Sequence, residues 1–585
     1  MSADLGIDRS GNNNHWTVNN MTLAADQMVD SPTNNFATLN SIAGGTNSAF
    51  SEGNLKNVGT VSSFSKAYCT IPITSGKWYT ELCGVNVANN AIQVGITSVN
   101  PIRSNSNQNG EESGTSFYGL YNSGRSGGYI FNDASATNSL TRANDDDIIG
   151  IAFDADAGNV KYYINNTLVG SASGYSPTNV SGTFWFCLIT RDVGSSVINF
   201  GQDSSFAGAV TAQGNQDSNG IGDFYYEPPT DFLALCTSNL PDVAVTPSEH
   251  FNTILYTGNG GTPSHTGVGF QPDLVWTKGR STTHYNLLFD SVRGATEVLR
   301  SEVNNAEYTQ TDSLVSFDSD GFSTEEYSQI NTDTETYVAW NWKAATTASG
   351  TTTGSGTGKS YSAQYNTDAG FSIISYEGNG TAGHEIPHHL SATLDFWVVK
   401  RRPDTDHWFV GHSGLASDYE TDYLILSLNE AKTDSDDHWD DTKPTSSVFT
   451  CGGTDDVNGD TVDYIAYCFH SVDGYSKVGS YTGNGDDDGT FIYTGFRPAF
   501  LIVKAADVAS KSWLLFDNKR NTSNPIQVVL YPDTTAAEET FTSEPFDFTS
   551  NGFKSRKNSS KFNGSGSTYI YLAFAETPFK YSNAR

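Results

Sequence analysis

Residues 384 to 389 read His-Glu-Ile-Pro-His-His. As letters, the first five match H-E-x-x-H, in which two imidazoles one helical turn apart hold zinc and the glutamate activates water. That chemistry needs a helix. Pro387 stands inside the turn, where it lacks an amide donor and clashes with the preceding carbonyl. The hexapeptide therefore reads as a loop leading into the apolar run Asp395 to Lys400, and no protease is expected. Gly485 to Gly489, Gly-Asp-Asp-Asp-Gly, offers carboxylates suited to Ca²⁺ but lacks the alternating acidic spacing of an EF-hand loop. It reads as an acidic surface turn, as does Asp145-Asp146-Asp147. The sequence holds no phosphate-binding loop of the Gly-x-x-x-x-Gly-Lys-Ser/Thr type. No catalytic, cofactor or metal residues are assigned, and the chain is expected not to be an enzyme. The 65 acidic residues guarantee close carboxylate pairs, so a polysaccharide depolymerase stays as a minor alternative.

One stretch has the composition of a binding loop. Residues 101 to 129 interleave Tyr118, Tyr121 and Tyr129 with Ser, Gly, Asn and Arg125. A long excursion of this kind inside a compact domain is often functional, and Tyr with small polar residues suits recognition. Tyr118, Tyr121, Arg125 and Tyr129 are the candidate receptor-binding residues.

The elements that carry these residues are expected to be strands. The chain has 585 residues, too many for one core, and is rich in Gly (56) with 17% charged and 12% aromatic residues. Asn, Ser, Thr, Gly and Asp fill the spaces between apolar runs, as turns require. The formal charge of −33 disfavours nucleic acid and anionic lipid as partners. The six cysteines form no CxxC pair and several lie in apolar runs, so buried free thiols are expected. No signal-peptide-like start and no apolar run of about 18 residues is seen, so a soluble chain without membrane insertion is expected.

The fold class predicted is all-β, a multidomain chain of β-sandwiches. Residues 1–57 read as an N-terminal arm. Residues 58–205 alternate apolar and polar residues in short runs: Gly76 to Val85, Ala91 to Val99, Ile148 to Asp154, Val160 to Gly170, Phe184 to Thr190 and Ser195 to Gly201. Asn165-Asn166 is the expected hairpin turn. Residues 206–249 form a connector with a stiff Pro228-Pro229. From about residue 250 the chain repeats itself three times. The markers are Tyr256 to Gly260, Tyr376 to Gly380 and Tyr481 to Gly485, each Tyr-x-Gly-Asn-Gly. Apolar runs closed by Lys278, Lys400 and Lys504 follow, then Asn286 to Asp290, Trp408 to His412 and Trp513 to Asp517. The units close on Tyr337 to Trp340, Tyr464 to Tyr467 and Tyr571 to Phe574. Repeats of this length suit small domains rather than solenoid turns. The units are 250–345, 363–472 and 473–585, each expected to be its own small sandwich. Residues 346–362 read as a flexible linker that lets the first two units swing.

Residues 58–205 resemble the SPRY domain. The match rests on GKWYTEL (Gly76 to Leu82), QVGITS (Gln93 to Ser98), the hairpin Asp146 to Gly170 and the closing Asn199-Phe200-Gly201. It implies a bent sandwich that binds partners through loops. The whole arrangement resembles structural proteins of marine tailed bacteriophages, including those of cyanobacteria. Leu5 to Met21 with Asp30 to Asn40, Phe224 to Pro241, and Gly269 to Gly294 carry this resemblance. It implies a virion component, made in the host cytoplasm and placed on a tail fibre or other appendage. It further implies adhesion to a host surface glycan or outer-membrane component, docking on other virion proteins through the N-terminal arm, and a homotrimer. A structural virion protein that touches no receptor, such as a head decoration or tail adaptor, is the alternative.

Overall fold

The computed structural model describes residues 14, 15, 17, 31, 34–41, 48–59, 64–85, 92–97, 117–123, 127–132, 135–140, 143, 144, 146–169, 183–191, 195–542 and 545–581. The described chain is nearly all strand, joined by turns and a few single-turn helices. It divides into two compact units, Met1–Pro241 and Asp242–Arg585.

The first unit holds two antiparallel sheets. One runs Ser48–Ser51, Lys56–Gly59, Ser195–Asn199, Lys77–Val85, Ile148–Asp154, Asn159–Ile164, Thr167–Val169, with Leu233–Ala234 added in parallel beside Trp78 and Tyr79. The other runs Phe64–Tyr68, Trp185–Arg191, Ile92–Thr97, Phe117–Ser123, Gly127–Asn132, Ser135–Leu140. Asn165 and Asn166, at φ 48° and 61°, make the two-residue turn whose twist suits a hairpin. Part of the expected arm belongs to this body. The strands from Ser48 to Gly59 pair into the first sheet, and Ala37 and Leu39 are fully buried. The connector also packs down, as Phe224, Ala234 and Cys236 form a small core with Phe36, Tyr79 and Ala152.

The second unit contains the three repeats, and each has the same two-layer plan. In the larger sheet the first strand pairs with the last, the last with the second long strand, and that with the strand after it. In repeat 1 these are Phe251–Thr257, Thr336–Trp342, Leu274–Gly279 and Asn286–Asp290. In repeat 2 they are Phe371–Glu377, Asp463–Phe469, Phe396–Arg401 and Trp408–His412. In repeat 3 they are Ser476–Thr482, Thr568–Pro578, Phe496–Ala505 and Leu514–Asp517. A three-stranded sheet covers one face of each. Between the layers lie private cores, such as Val275, Leu287, Phe289 and Phe322 in repeat 1.

The opposite faces of the three large sheets meet in one shared core. Phe251, Trp276, Trp340 and Trp342 pack with Phe396, Val398, Tyr467 and Phe469, and with Phe500, Ile502, Leu572 and Phe574. The long strands are therefore buried on both faces: all ten residues of Phe496–Ala505 are buried. That is the physical reason they read as unbroken apolar runs rather than alternating ones. The expectation of three independent sandwiches is corrected here, because each repeat completes its burial only against the other two. The expected linker is corrected too. Thr346–Thr351 pairs with Ser360–Asn366 as the edge hairpin of the large sheet of repeat 2, and Thr353–Gly354 joins its small sheet. β-Branched Thr with small residues forms this hairpin, fixing a segment whose composition suggested freedom.

Candidate functional site

The residues that recur in all three repeats are the natural place to look for chemistry. The marker Tyr stacks on a Tyr of the closing strand each time. Tyr256 lies on Tyr337, Tyr376 on Tyr464 and Tyr481 on Tyr569, each with ring centroids 5.2 Å apart. These pairs also set the register of the repeat. The closing motif of repeat 3 is Tyr569-Ile570-Tyr571-Leu572, so Tyr571 to Phe574 is displaced by two residues from the expected alignment.

The Gly-Asn-Gly of each marker is held by a fully buried asparagine. The amides of Asn259, Asn379 and Asn484 donate to the side-chain oxygens of Asn331, Asn458 and Asn563 at 2.9, 2.9 and 3.1 Å. A Cβ on Gly258 would stand 2.1 Å from the Thr332 oxygen, and one on Gly378 or Gly483 2.3 Å from a backbone oxygen. The second glycines, Gly260, Gly380 and Gly485, have φ of 60°, 67° and 67°. The marker is thus a backbone requirement. The lysines that close the apolar runs are fully buried. Lys278 Nζ donates to the carbonyls of His284 (2.7 Å) and Thr535 (3.0 Å), Lys400 Nζ to Arg401 (2.5 Å), and Lys504 Nζ to Ala505 (2.8 Å). Burial brings each of the three down to about 8.

The repeats meet at three seams arranged cyclically. Between repeats 1 and 2, the Glu307 amide donates to the Arg402 carbonyl, and Arg402 clasps the Glu307 carboxylate at 2.8 Å. Asp290, paired with Arg293 at 2.5 Å and wholly buried, accepts from Tyr467 Oη at 2.7 Å. Between repeats 3 and 1 the same parts recur. The Glu538 amide meets the Arg280 carbonyl, Arg280 binds Glu538 at 2.8 and 3.1 Å, and Asp517, paired with Arg520, accepts from Trp340 Nε1 at 3.2 Å. Between repeats 2 and 3 every part is exchanged together. The Lys432 amide meets the Ala506 carbonyl, and His412 takes the place of aspartate, donating to the Tyr571 carbonyl. Leu415 stands for the arginine, and Leu572, which has no donor, for the aromatic. A buried carboxylate is retained only where a donor faces it. A cavity of about 40 Å³ lined by apolar side chains of all three repeats, among them Trp276, Trp342, Phe396, Phe500 and Leu572, lies in the shared core. It is no larger than a water or two.

The motifs singled out in the sequence find these places. His384–Pro387 is a short strand, not the expected loop, in which His384 and Ile386 are buried and Glu385 is half-buried. His384 Nδ1 donates to Asn458 Oδ1 at 2.8 Å, and its Nε2 accepts from Thr352 Oγ1 at 2.6 Å. His388 Nδ1 accepts from the Leu390 amide, Nε2 donates to the Thr445 carbonyl, and burial brings its pKa down to about 4. Both imidazoles are thereby spent on the fold, and no group of three or more His, Cys, Asp or Glu among the described residues could hold a metal ion. In the acidic turn, Asp487 pairs with Lys557 at 2.6 Å and Asp488 with Lys554 at 2.7 Å. All six cysteines are free and buried.

The candidate binding residues Tyr118 and Tyr121 stand on Phe117–Ser123, and Tyr129 on Gly127–Asn132. They are strand residues, which corrects the reading of 101 to 129 as one loop. Tyr121 is in register with Tyr129 on one side and Gln93 on the other. Their side chains, and Arg125, lie outside the described residues. The sequence reading missed two further arrangements. Glu81, in the GKWYTEL motif, accepts from the amides of Tyr225 and Tyr226, both at 2.8 Å, and so pins the connector. Burial raises its carboxyl to about 7 against the pull of those bonds. Ser435, His438 and Asp456 form a relay, with Oγ 3.2 Å from Nδ1 and Nε2 3.1 Å from the carboxylate. Ser435 is the N-cap of a single helical turn and already accepts from the Asp437 amide. The relay thus has the form of a cap braced by the third residue of its helix.

No curated protein matches the chain. Among solved structures, the SPRY domain of human HERC1 has 14% identity and a TM-score of 0.23, covering 27% of this chain and 96% of that one. The TRIM65 PSpry domain has 10% identity and a TM-score of 0.23, covering 28% and 89%. A family model described as a domain of unknown function, DUF7483, matches residues 246–578, nearly the whole of the three-repeat unit. The chain belongs to the DUF7483 family.

Proposed function

We propose that this protein is a structural component of a bacteriophage particle, an appendage or tail-fibre protein that mediates adhesion to the host cell surface. In this reading the three-repeat unit is a rigid body, the first unit carries the adhesive surface around Tyr118, Tyr121 and Tyr129, and the part of residues 1–57 that is not packed into the first unit docks on other virion proteins. The observation that supports it is what the repeats have in common. The recurring Tyr pairs, Asn clamps and buried Lys each hold the fold. What the chain triplicates is architecture, and that suits a load-bearing part. The resemblance to marine phage structural proteins supplies the particle and the class of target, a glycan or outer-membrane component. The test is binding of labelled full-length protein to cells of a susceptible host. Binding that falls at least tenfold on Tyr121→Ala with Tyr129→Ala, with folding unchanged, supports adhesion. Binding absent from every host-cell preparation refutes it.

The cyclic arrangement favours a second reading, a decoration or adaptor that touches no receptor. Three repeats in one chain build a body of threefold plan without the homotrimer the resemblance implies. Light scattering separates the two. A trimer supports the fibre, and a monomer supports a part seated on a symmetric partner.

A further inference from the structure

The first strand of each repeat holds the same place in its large sheet. The stacked Tyr pairs align Phe251–Thr257 with Phe371–Glu377 and Ser476–Thr482. One side of this strand pairs with the closing strand. The other side is a potential sheet edge, whose amides and carbonyls can template a further strand. Two of the three edges are taken within the chain. In repeat 2, Ser360–Asn366 pairs along the whole of Phe371–Glu377. In repeat 3, the amides and carbonyls of Val472 and Ser476 exchange hydrogen bonds at 3.1 and 2.9 Å. The Ser471 hydroxyl accepts from the Val478 amide at 3.1 Å, and the Thr490 hydroxyl donates to the Thr482 carbonyl at 3.0 Å. A Cβ on Gly414 would stand 2.9 Å from the Ser480 Cβ, so repeat 2 lies against that part of the edge. Repeat 1 differs. Its ladder is bounded by the Lys343 amide on the His250 carbonyl and the Gly258 amide on the Glu335 carbonyl. Partners alternate along an antiparallel pair, so Thr253, Leu255 and Thr257 turn their backbone groups outward. Asn252 Oδ1 takes the Thr253 amide at 2.9 Å. The outward groups of Leu255 and Thr257 meet no partner among the described residues. The side chains agree with this. Leu255, 40% exposed, is the one exposed large apolar side chain among the described residues. The matching residues of the other repeats are Ser375 and Ser480, and Phe251–Thr257 carries no charge that would blunt the edge.

We infer that the open edge of repeat 1 at Leu255–Thr257 is a docking site for one extended strand of a partner protein, added antiparallel to the large sheet. The chain itself displays the chemistry of the occupant, because Ser360–Asn366 is seated on the equivalent strand of repeat 2. There Tyr361 stands opposite Tyr376, Ser362 opposite Ser375 and Ala363 opposite Ile374. The matching residues of repeat 1 are Tyr256, Leu255 and Ile254. The partner strand therefore carries an aromatic and a small residue at the positions of Tyr361 and Ala363, and an apolar residue in place of Ser362 to cover Leu255. It lacks acidic residues, which a chain of net charge −33 repels. Main-chain hydrogen bonds supply the affinity, and the pocket beside Leu255 fixes the register. One of three equivalent edges is open, so each chain takes one strand.

The test uses the full-length protein and a fluorescein-labelled synthetic peptide of the sequence Ser360 to Asn366 carrying Ser362→Leu. Fluorescence anisotropy reads binding. The expected result is saturable binding of one peptide per chain, weakened about tenfold or more by Leu255→Pro. Proline at this position removes an amide that points outward, so the ladder to Thr336–Trp342 is kept. Should that variant fail to fold, Leu255→Lys, which blunts the edge by charge, gives the same reading. Absence of saturable binding to the unaltered chain, or equal binding by the chain and a folded variant, overturns the inference. Light scattering without peptide is run alongside. A dimer that Leu255→Pro or Leu255→Lys converts to a monomer assigns the edge to a second copy of this chain and overturns the choice of a foreign strand.

Discussion

Replacing Asp290 with Ala tests the account of the seams. Asp290 and Arg293 have no exposed side-chain surface, and the carboxylate also accepts from Tyr467 across the seam. Removing one partner of such a pair costs roughly 3–5 kcal/mol, because the other charge stays buried. Arg293 keeps part of its support, from Glu307 at 2.9 Å and the carbonyls of Leu288 and Glu297. That sets the charge contribution near the low end, about 3 kcal/mol. The orphaned Tyr467 hydroxyl adds about 1 kcal/mol, for a total of about 4 kcal/mol. The third seam shows the alternative, with Leu415 and Leu572 at the matching positions. The variant Asp290→Leu, Arg293→Leu, Tyr467→Phe removes all three polar partners together and should cost less than about half as much, since apolar replacement of a whole buried pair is often neutral. The assay is urea unfolding followed by tryptophan fluorescence, to which Trp276, Trp340, Trp342, Trp408 and Trp513 of the shared core report. A single variant that loses under 1 kcal/mol, or a triple variant less stable than the single, refutes the reasoning.

Further outcomes follow from the repeated clamps and buried bases. Gly258→Ala drives a methyl group to 2.1 Å from a backbone oxygen and should lower the unfolding midpoint far more than Gly260→Ala, whose methyl makes only ordinary contact with Asp333 at 3.6 Å and whose cost is that of its positive φ, about 1 kcal/mol. The buried lysines titrate near 8 in the fold and near 10.5 when unfolded, so the unfolded chain binds more protons between those values. Stability of the second unit should therefore rise as pH increases from 8 to about 9.5, and Lys400→Met should flatten the slope measured by denaturant midpoints. Burial likewise lowers His265, His388 and His412 to about 4, so stability should fall as pH drops from 6.5 to 4. His384→Ala should cost about 2 kcal/mol by breaking two buried hydrogen bonds, and added zinc should shift the melting temperature of neither protein.

Much of the architecture was legible because local physics wrote it. Tyr-x-Gly-Asn-Gly recurs since a close backbone approach and a left-handed turn each exclude a side chain, and those constraints survive as letters. The closing Lys recurs because its buried ammonium is spent on backbone carbonyls, of His284, Arg401 and Ala505 in turn. What escaped was non-local. Tyr569 and Tyr571 both fit a closing strand by alternation, and only stacking on Tyr481 decides between them. The segment after Lys343 has a linker's composition, but its partner Ser360–Asn366 supplies the hydrogen bonds that order it. The shared core left one readable sign, strands such as Leu274–Gly279 buried throughout, which announces a sheet covered on both faces. That His384 and His388 do not share a helical turn was readable from Pro387 alone, but their actual partners, Asn458 and Thr445, lie far along the chain. The charge keys at the seams carry no local pattern, since Glu307 and Arg402, or Arg280 and Glu538, meet only after folding.

The central claim is that the three repeats form one body around a common core. Hydrogen exchange of the full-length protein, read by mass spectrometry under conditions where opening limits exchange, tests it most directly. The account predicts that amides of Thr336–Trp342, Asp463–Phe469 and Thr568–Pro578, one closing strand from each repeat, lose protection together in a single cooperative opening. Three separate openings, each confined to one repeat and insensitive to Asp290→Ala in its neighbour, would contradict it.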